Sequence, residues 1–348
     1  MKLVLWLKAV RRFLLAEKKI NKKIPSIKKR FSVWERYNCL LKGFNTDKLV
    51  WYDFKTFNAS DYISDFDHQL YFNSIDREHW YVANDKLVLE RFVSPFCNVI
   101  ETIGFINKGR FYAIGSENRI STVEELFLAL DTMDFFLKPN NGGSGRGIGK
   151  LWKKDGVCYW NNEQISSIET LICDMDDYLV QRRFSQTGYS HDVNPDTLNT
   201  VRITTMIDPE TGEPFVGYAC HRFGRKGAFV DNIAQANLLC PIDIEKGIIK
   251  YATLYPLKGV LEKVDKHPDT CEPISNMPVP HWDSIVTLAF QLAKQLPFMP
   301  LCGWDMIVSG EKIYVQELNF NPDIYLGQID MPMLLNEKVR KFYYYYKK

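Results

Sequence analysis

Residues 135–152 read Phe-Phe-Leu-Lys-Pro-Asn-Asn-Gly-Gly-Ser-Gly-Arg-Gly-Ile-Gly-Lys-Leu-Trp, and the fold turns on them. Residues 135–139 form a short strand that ends at proline, and 148–152 form a second, so the stretch is a β-hairpin whose connection is a glycine-rich lid. Gly142, Gly143, Gly145 and Gly147 fall within six residues. That density frees the backbone to approach a ligand and to aim consecutive N–H groups at phosphate oxygens. Lys138 alternates with Phe135 and Leu137 and projects to the face opposite them, where a cation meets the same phosphates. The spacing is neither the Gly-x-x-x-x-Gly-Lys-Ser/Thr of a P-loop nor a Rossmann fingerprint.

Just before the hairpin, Ser121 precedes Thr122-Val123-Glu124 and the apolar series Val123, Leu126, Phe127 and Leu130, which predicts a helix capped by the serine. Beyond the hairpin, residues 178–184 read as a strand, 185–195 as a polar connector, and 199–207 with 215–222 as a strand pair turning at 211–214. A helix is expected over 282–296. The last hairpin runs 303–308 and 312–320 and carries Asp305, Glu317 and Asn319, oxygen ligands of the kind hard cations take. Glu317 and Asn319 share a face. Asp305 joins them if 309 pairs with 313; a two-residue turn pairing 309 with 312 sets Asp305 opposite Gln316 unless a bulge intervenes.

Composition suits a globular protein of two or three lobes: 348 residues, 46% hydrophobic and 25% charged, with 14% aromatic. Eight cysteines are scattered singly, without the pairing zinc sites use, and read as reduced thiols in the cytosol. The net charge is +2, yet eleven lysines and arginines between Lys2 and Arg30 face one acid, Glu17. Leu3, Leu7, Val10 and Leu14, with Trp6 and Phe13, recur there at helical spacing. The arm reads either as a helix in an anionic membrane interface or as one packing its stripe on the body. Its charges interrupt the apolar run too early for a spanning helix. No nucleic-acid-reading module accompanies it. Residues 31–110 are aromatic-rich with one expected helix over 84–92, and 338–348 form a basic, tyrosine-rich tail.

In order along the chain stand Asn84-Asp85-Lys86, Phe136-Leu-Lys-Pro139 with the glycine loop, Val180-Gln181-Arg182 and Leu198-Asn-Thr-Val-Arg-Ile203. His221-Arg-Phe-Gly224, Val230-Asp-Asn232, His267-Pro-Asp-Thr270, Gly303-Trp-Asp305 and Glu317-Leu-Asn319 follow. Across roughly 84–328 this set resembles the ATP-grasp superfamily, and within it the sugar-transfer associated ATP-grasp proteins of surface-polysaccharide biosynthesis. The resemblance implies an α+β ATP-grasp fold. Two α+β lobes, 121–186 and 187–335, would clasp ATP, preceded by an N-terminal α/β region over 31–120 and the basic arm over 1–30.

It also implies that Lys86 and Lys138 contact the phosphates, that Gly142, Gly143, Ser144, Gly145 and Gly147 close over them, and that the backbone of Gln181, Arg182 and Phe184 reads adenine. Arg202 and Arg222 would face the γ-phosphate, with Lys138 beside them in catalysis, and Asp305, Glu317 and Asn319 would hold magnesium. One departure stands out: Ala234-Gln-Ala-Asn237 replaces a frequent glycine cluster on the acceptor side. The implied activity is a carboxylate–amine ligase acting through an acyl-phosphate on small-molecule or sugar-linked substrates, which needs phosphoryl-transfer electrostatics rather than a side-chain nucleophile. A small-molecule kinase and a membrane-surface scaffold are the alternatives. His221 and His267 read as structural or substrate-side groups.

Overall fold

The computed structural model describes residues 2–75, 77–114, 120–143, 146–228 and 230–347. Fifteen strands build two sheets. The first holds β1 (Thr102–Asn107), β2 (Arg110–Ala113), β3 (Phe135–Pro139), β4 (Gly149–Lys154), β5 (Val157–Trp160), β6 (Glu163–Gln164) and β7 (Tyr178–Arg182). The second holds β8 (Thr200–Ile207), β9 (Pro214–Phe223), β10 (Leu238–Asp243), β11 (Ile248–Ile249), β12 (Ala252–Thr253), β13 (Lys263–Val264), β14 (Leu301–Ser309) and β15 (Lys312–Asn319). Their orders are β2-β1-β7-β3-β4-β5-β6 and β13-β12-β10-β9-β8-β14-β15, with β11 on β10. All these neighbours pair antiparallel. The chain is therefore α+β with two antiparallel sheets, one per lobe.

Seven helices precede the first strand: α1 (Lys2–Lys23), α2 (Ser26–Arg30), α3 (Val33–Leu41), α4 (Lys48–Trp51), α5 (Asp65–Leu70), α6 (Trp80–Asn84) and α7 (Lys86–Val93). The N-terminal region expected to be α/β thus carries no strand before Thr102 among the described residues. Its aromatics explain the difference. Phe44, Tyr52, Phe54 and Tyr62 pack ring on ring, with Phe44 and Phe54 5.2 Å apart and Tyr52 stacked on Tyr62 at 4.5 Å. Such rings bury their area against one another and against an existing sheet rather than by strand alternation. The β1–β2 hairpin, which lies before residue 121, joins the small-lobe sheet.

The later helices are α8 (Val123–Ala129), α9 (Ile168–Ile172), α10 (Tyr189–Val193), α11 (Trp282–Gln295) and α12 (Glu337–Tyr346). Thr122, one residue beyond the expected Ser121, caps α8: its side chain accepts from the Glu125 N–H in a capping box. Ser121 instead donates its N–H to the same Glu125 carboxylate. The polar connector holds the short helix α10.

The second sheet is covered on both faces. Val201, Ile203, Trp304 and Met306 pack with Leu89 and Val93 of α7 and Ile285, Ala289 and Leu292 of α11. Met206, Phe215, Tyr218, Leu239 and Leu301 pack on the other face with Phe44, Trp51, Phe72 and Phe342. The first sheet has its own core, with Phe135, Leu137, Leu151 and Val180 against Leu126 and Ile172. All eight cysteines are free thiols. The tyrosine-rich tail is helix α12, whose Val339, Phe342 and Tyr343 are buried and whose Tyr343 hydroxyl donates to Asp67. Phe342→Ala should therefore lower unfolding free energy by about 3–5 kcal/mol, measured by urea titration; a loss near zero would mean that the tail is not part of the core.

Candidate active site

The glycine loop stands on a fixed base. The Lys86 N–H donates to the Asn140 carbonyl at 3.2 Å, the Leu87 N–H to Asn140 Oδ1 at 3.0 Å, and Asn84 Nδ2 to Asn141 Oδ1 at 2.8 Å. From the other side, Asn140 Nδ2 donates to Asp177 at 3.1 Å, and Asn141 donates to the same carboxylate. The start of α7 and the turn before β7 thus clamp the two asparagines from opposite lobes. Ser144 and Gly145 lie outside the described residues.

The other glycines divide by what surrounds them. A Cβ on Gly147, whose φ is +76°, would stand 2.9 Å from the Pro139 ring and the Tyr178 hydroxyl, and one on Gly149 would strike Trp160 at 2.3 Å. Those two are packing glycines. Around Gly142 and Gly143 no atom of the described residues beyond their chain neighbours lies within 4 Å of where a Cβ would stand, though Gly142, with φ +117°, needs glycine for its backbone. Both line the cleft between the lobes.

That cleft has a volume of ≈ 370 Å³, within the range of small-molecule sites. Lys86, Lys138, Gln181, Arg182, Phe184, Arg222, Asp305 and Glu317 stand in its wall. Lys86 Nζ donates to the Gly142 carbonyl at 2.7 Å and lies 3.8 Å from Glu317 Oε1, so it links the loop to the acidic end. Lys138 makes no ion pair among the described residues. Burial, and then the neighbouring Lys86, pull its ammonium down to about 8 against the opposing pull of Glu317 and Glu90; Lys138 is a cation whose charge the protein compensates only in part.

Gln181, by contrast, turns its side chain away from ligand duty. Its Nε2 donates to the Ile100 carbonyl at 2.9 Å and to Thr102 Oγ1 at 3.0 Å, and Thr102 in turn donates to Glu90 on α7. This chain ties the two lobes at the back of the cleft and fixes the Gln181 side chain there, while Arg182, Arg183 and Phe184 also line the cleft. Phe184 packs edge-on against Tyr314 at 4.8 Å.

The acidic end is set by register. The last hairpin turns tightly, with Ser309 opposite Lys312, and a bulge at Gln316 restores the pairing of Asp305 with Glu317. Asp305 in turn pairs with Arg202 across β8, and Arg202 with Cys220 on β9. One row of side chains thus crosses four strands. Arg202 grips Asp305 through two nitrogens, Nε and Nη2, the latter at 2.8 Å, and Arg222 Nη2 reaches Asp305 Oδ2 at 2.8 Å. Burial pushes the Asp305 carboxyl up, but the two guanidiniums outweigh it and hold the group at about 2. Thr200 Oγ1 accepts from Arg222 at 2.6 Å and donates to Asp231, so a second acid balances the second arginine.

Thr200 and Asp231 lay inside recognised motifs, yet their part as charge-balancing partners depends on a loop crossing that no spacing reveals. Asn199 is similar: its side chain donates to the Ser190 and Asn194 carbonyls at 3.0 and 2.7 Å and fixes the connector. Asn237, in the departing stretch, locks the 225–237 loop by donating to the Val230 and Asn232 carbonyls at 2.6 and 3.0 Å. Arg202, Gly147 and Asn319 are not in the cleft wall. Arg202 acts through Asp305, and Asn319 Nδ2 lies 3.4 Å from Asp305 Oδ2.

His221 is structural. It is buried between Tyr189, whose hydroxyl lies 2.8 Å from Nε2, and the Arg222 carbonyl, and burial holds it down at about 3 and hence neutral. His267 lies against the Gly224 carbonyl through Nε2 at 2.8 Å and accepts N–H groups of its own turn through Nδ1.

Whether these residues suit magnesium rests on Glu317. Burial, and then the Asp305 carboxylate, push its carboxyl above the ordinary value, and its nearest cation, Lys86, stands beyond hydrogen-bond reach. A half-buried carboxylate whose one ion pair, to Lys86, is long at 3.8 Å, with Asn319 two residues along the strand, fits a hard divalent ion. Among the described residues no cluster of three or more His, Cys, Asp or Glu side chains forms a metal cage; Glu317 and Asn319 would be the holders, with Asp305 already neutralised behind them.

The two acids should therefore respond oppositely to mutation. Asp305→Ala strands two buried arginines and should cost about 3–5 kcal/mol of stability. Glu317 carries a raised folded pKa, so its charge opposes folding at neutral pH and the opposition fades as pH falls. Glu317→Gln should raise the melting temperature at pH 7, and scanning calorimetry of both variants checks the pair of signs.

No curated protein matches the chain. Solved structures similar to it include an ADP complex of N5-carboxyaminoimidazole ribonucleotide synthetase, at 11% identity, 72% of this chain, 52% of that one and a TM-score of 0.40. VanG D-Ala:D-Ser ligase from Enterococcus faecalis is 15% identical over 74% of this chain and 61% of its own, with a TM-score of 0.42. D-alanine-D-alanine ligase from Helicobacter pylori is 12% identical over 76% and 58%, with a TM-score of 0.38. The chain thus spans between 52% and 61% of the length of these three. The family described as sugar-transfer associated ATP-grasp matches residues 65–342, which is most of the sequence and includes every site residue above, so the chain belongs to the sugar-transfer associated ATP-grasp family.

Proposed function

We propose that the protein is an ATP-dependent carboxylate–amine ligase that acts through an acyl-phosphate and forms an amide on a sugar acid or amino acid in cell-surface polysaccharide biosynthesis. The observation that carries this reading is the Lys138 ammonium, without an ion pair among the described residues, in the wall of a cleft that Gly142 and Gly143 also line. A triphosphate supplies the missing negative charge. Lys86 would stand beside the same phosphates, and the backbone at 181–184 would read the base.

Glu317 and Asn319 would hold a magnesium ion, which would supply neutralisation of the phosphate charge. Arg222 lines the cleft and is held in place by Thr200 and Asp305, so it meets developing charge without having to reorganise. A substrate carboxylate oxygen attacks the γ-phosphorus and ADP leaves. The amine then attacks the acyl carbon, the C–O bond breaks, phosphate leaves and one proton is released. The chain binds, orients and neutralises throughout. The sugar linkage draws on the family's description.

Two outcomes test the reading. Free phosphate should appear only when an acid and an amine are both present, in a screen of amino acids against nucleotide-linked uronic acids with product mass as the second readout. ADP without free phosphate, together with a stable phosphorylated product, would make the protein a kinase. Nucleotide should also restore the charge on Lys138, so binding at pH 9 should take up about one proton and binding at pH 7 almost none. Calorimetry of the native chain in buffers of different ionisation heat measures this, and equal proton uptake at the two pH values would contradict it.

A further inference from the structure

We propose that helix α1 is an interfacial membrane helix that seats the protein on an anionic bilayer. The helix has one face committed to the protein. Ala9 and Phe13 are buried, Phe13 packs edge-on against Phe66 at 6.0 Å, and Glu17 accepts from the Thr46 N–H at 2.9 Å and its hydroxyl at 2.7 Å. The only acid of the helix is thereby turned inward. Docking through this face fixes which residues the opposite side presents.

That side is both apolar and cationic. Leu3, Leu7 and Leu14 are 69%, 53% and 59% exposed, with Val4 and Leu15 exposed as well, whereas Trp6 packs edge-on against Phe66 at 6.5 Å beside Phe13. At 100° per residue, Leu3, Leu7 and Leu14 fall in one narrow strip beside the docked face. Lys8, Arg11, Arg12, Lys18, Lys19 and Lys22 are exposed too and fan out from the strip over the rest of the free surface. The next two helices continue the chemistry: Lys28, Lys29 and Arg30 of α2 are exposed, and α3 exposes Val33, Trp34, Tyr37 and Leu41.

Charge and grease together select the occupant. No acid lies on the exposed side of α1, so the partner is anionic. Nucleic acid would meet the cations but leave the leucine strip without a partner. A second copy joined by a two-fold contact would set cation against cation. An anionic bilayer accepts both, with the leucines in the acyl boundary and lysines among the headgroups. No helix of the described residues is long and apolar enough to cross a membrane, so the association is along the surface.

The experiment is partitioning of the full chain onto vesicles of phosphatidylcholine alone and of phosphatidylcholine with a third phosphatidylglycerol, followed by sedimentation. Each basic residue near an anionic surface changes partitioning about fivefold, so Lys18→Glu, Lys19→Glu and Lys22→Glu together should weaken binding on the order of 100-fold. Leu3→Gln, Leu7→Gln and Leu14→Gln together should abolish it. Both variants should keep the native melting temperature and nucleotide affinity, because none of these positions lies in the cleft or the core. Failure of the native chain to bind the anionic vesicles, equal binding to both vesicle types, or native binding by the leucine variant would each overturn the proposal. None of these results depends on which reaction the cleft performs.

Discussion

The Asp305 carboxylate, held between Arg202 and Arg222, is the interaction on which the rest of the site depends. Two guanidiniums in a buried sheet would be costly alone, and one acid does not balance both. Asp231 supplies the second charge through Arg222 and Thr200. The four ionised groups are then neutral as a set, and the second sheet can carry them in its interior. Glu317 is left over at the edge of that arrangement, repelled by Asp305 and paired only at long range with Lys86. The balance of the buried set thus creates the imbalance at the cleft, and the imbalance is what a divalent ion would relieve.

A second imbalance sits across the cleft at Lys138. It is built into the first sheet by strand alternation, where Phe135 and Leu137 enter the core and Lys138 does not. The two unmet charges, one cationic and one anionic, come from different lobes, and Lys86 with its bond to Gly142 bridges them. Stability and ligand affinity are opposed here: groups that destabilise the empty cleft are those that a charged ligand rewards.

Much of the architecture was legible because it follows from local pattern. The glycine hairpin, β7, the β8–β9 pair, α11 and the last hairpin lie where alternation, turn residues and helical period place them. The register of the last hairpin was legible only as a condition. Counting back from a two-residue turn sets Asp305 against Gln316, and the bulge that corrects it has no sequence mark beyond the need to bring the acids together. The N-terminal layer was not legible, since rings that pack on each other across 44–62 follow neither the period of a helix nor that of a strand. The roles of Thr200 and Asp231 were hidden for another reason: they depend on a loop returning to the sheet some thirty residues later. The basic arm admitted two readings, and the structure gives each a face, with Phe13 and Glu17 docked and the leucine strip outside.

The central claim is that the cleft between the two sheets holds a nucleotide through Lys138 and a divalent ion through Glu317. Calorimetric titration of ATP into the native chain, Lys138→Ala and Glu317→Gln, each with and without magnesium, tests it most directly. The account requires one nucleotide per native chain, tighter binding with magnesium, loss of binding in Lys138→Ala, and loss of the magnesium effect alone in Glu317→Gln. Nucleotide binding that is absent from the native chain, or that survives Lys138→Ala unchanged, would contradict it.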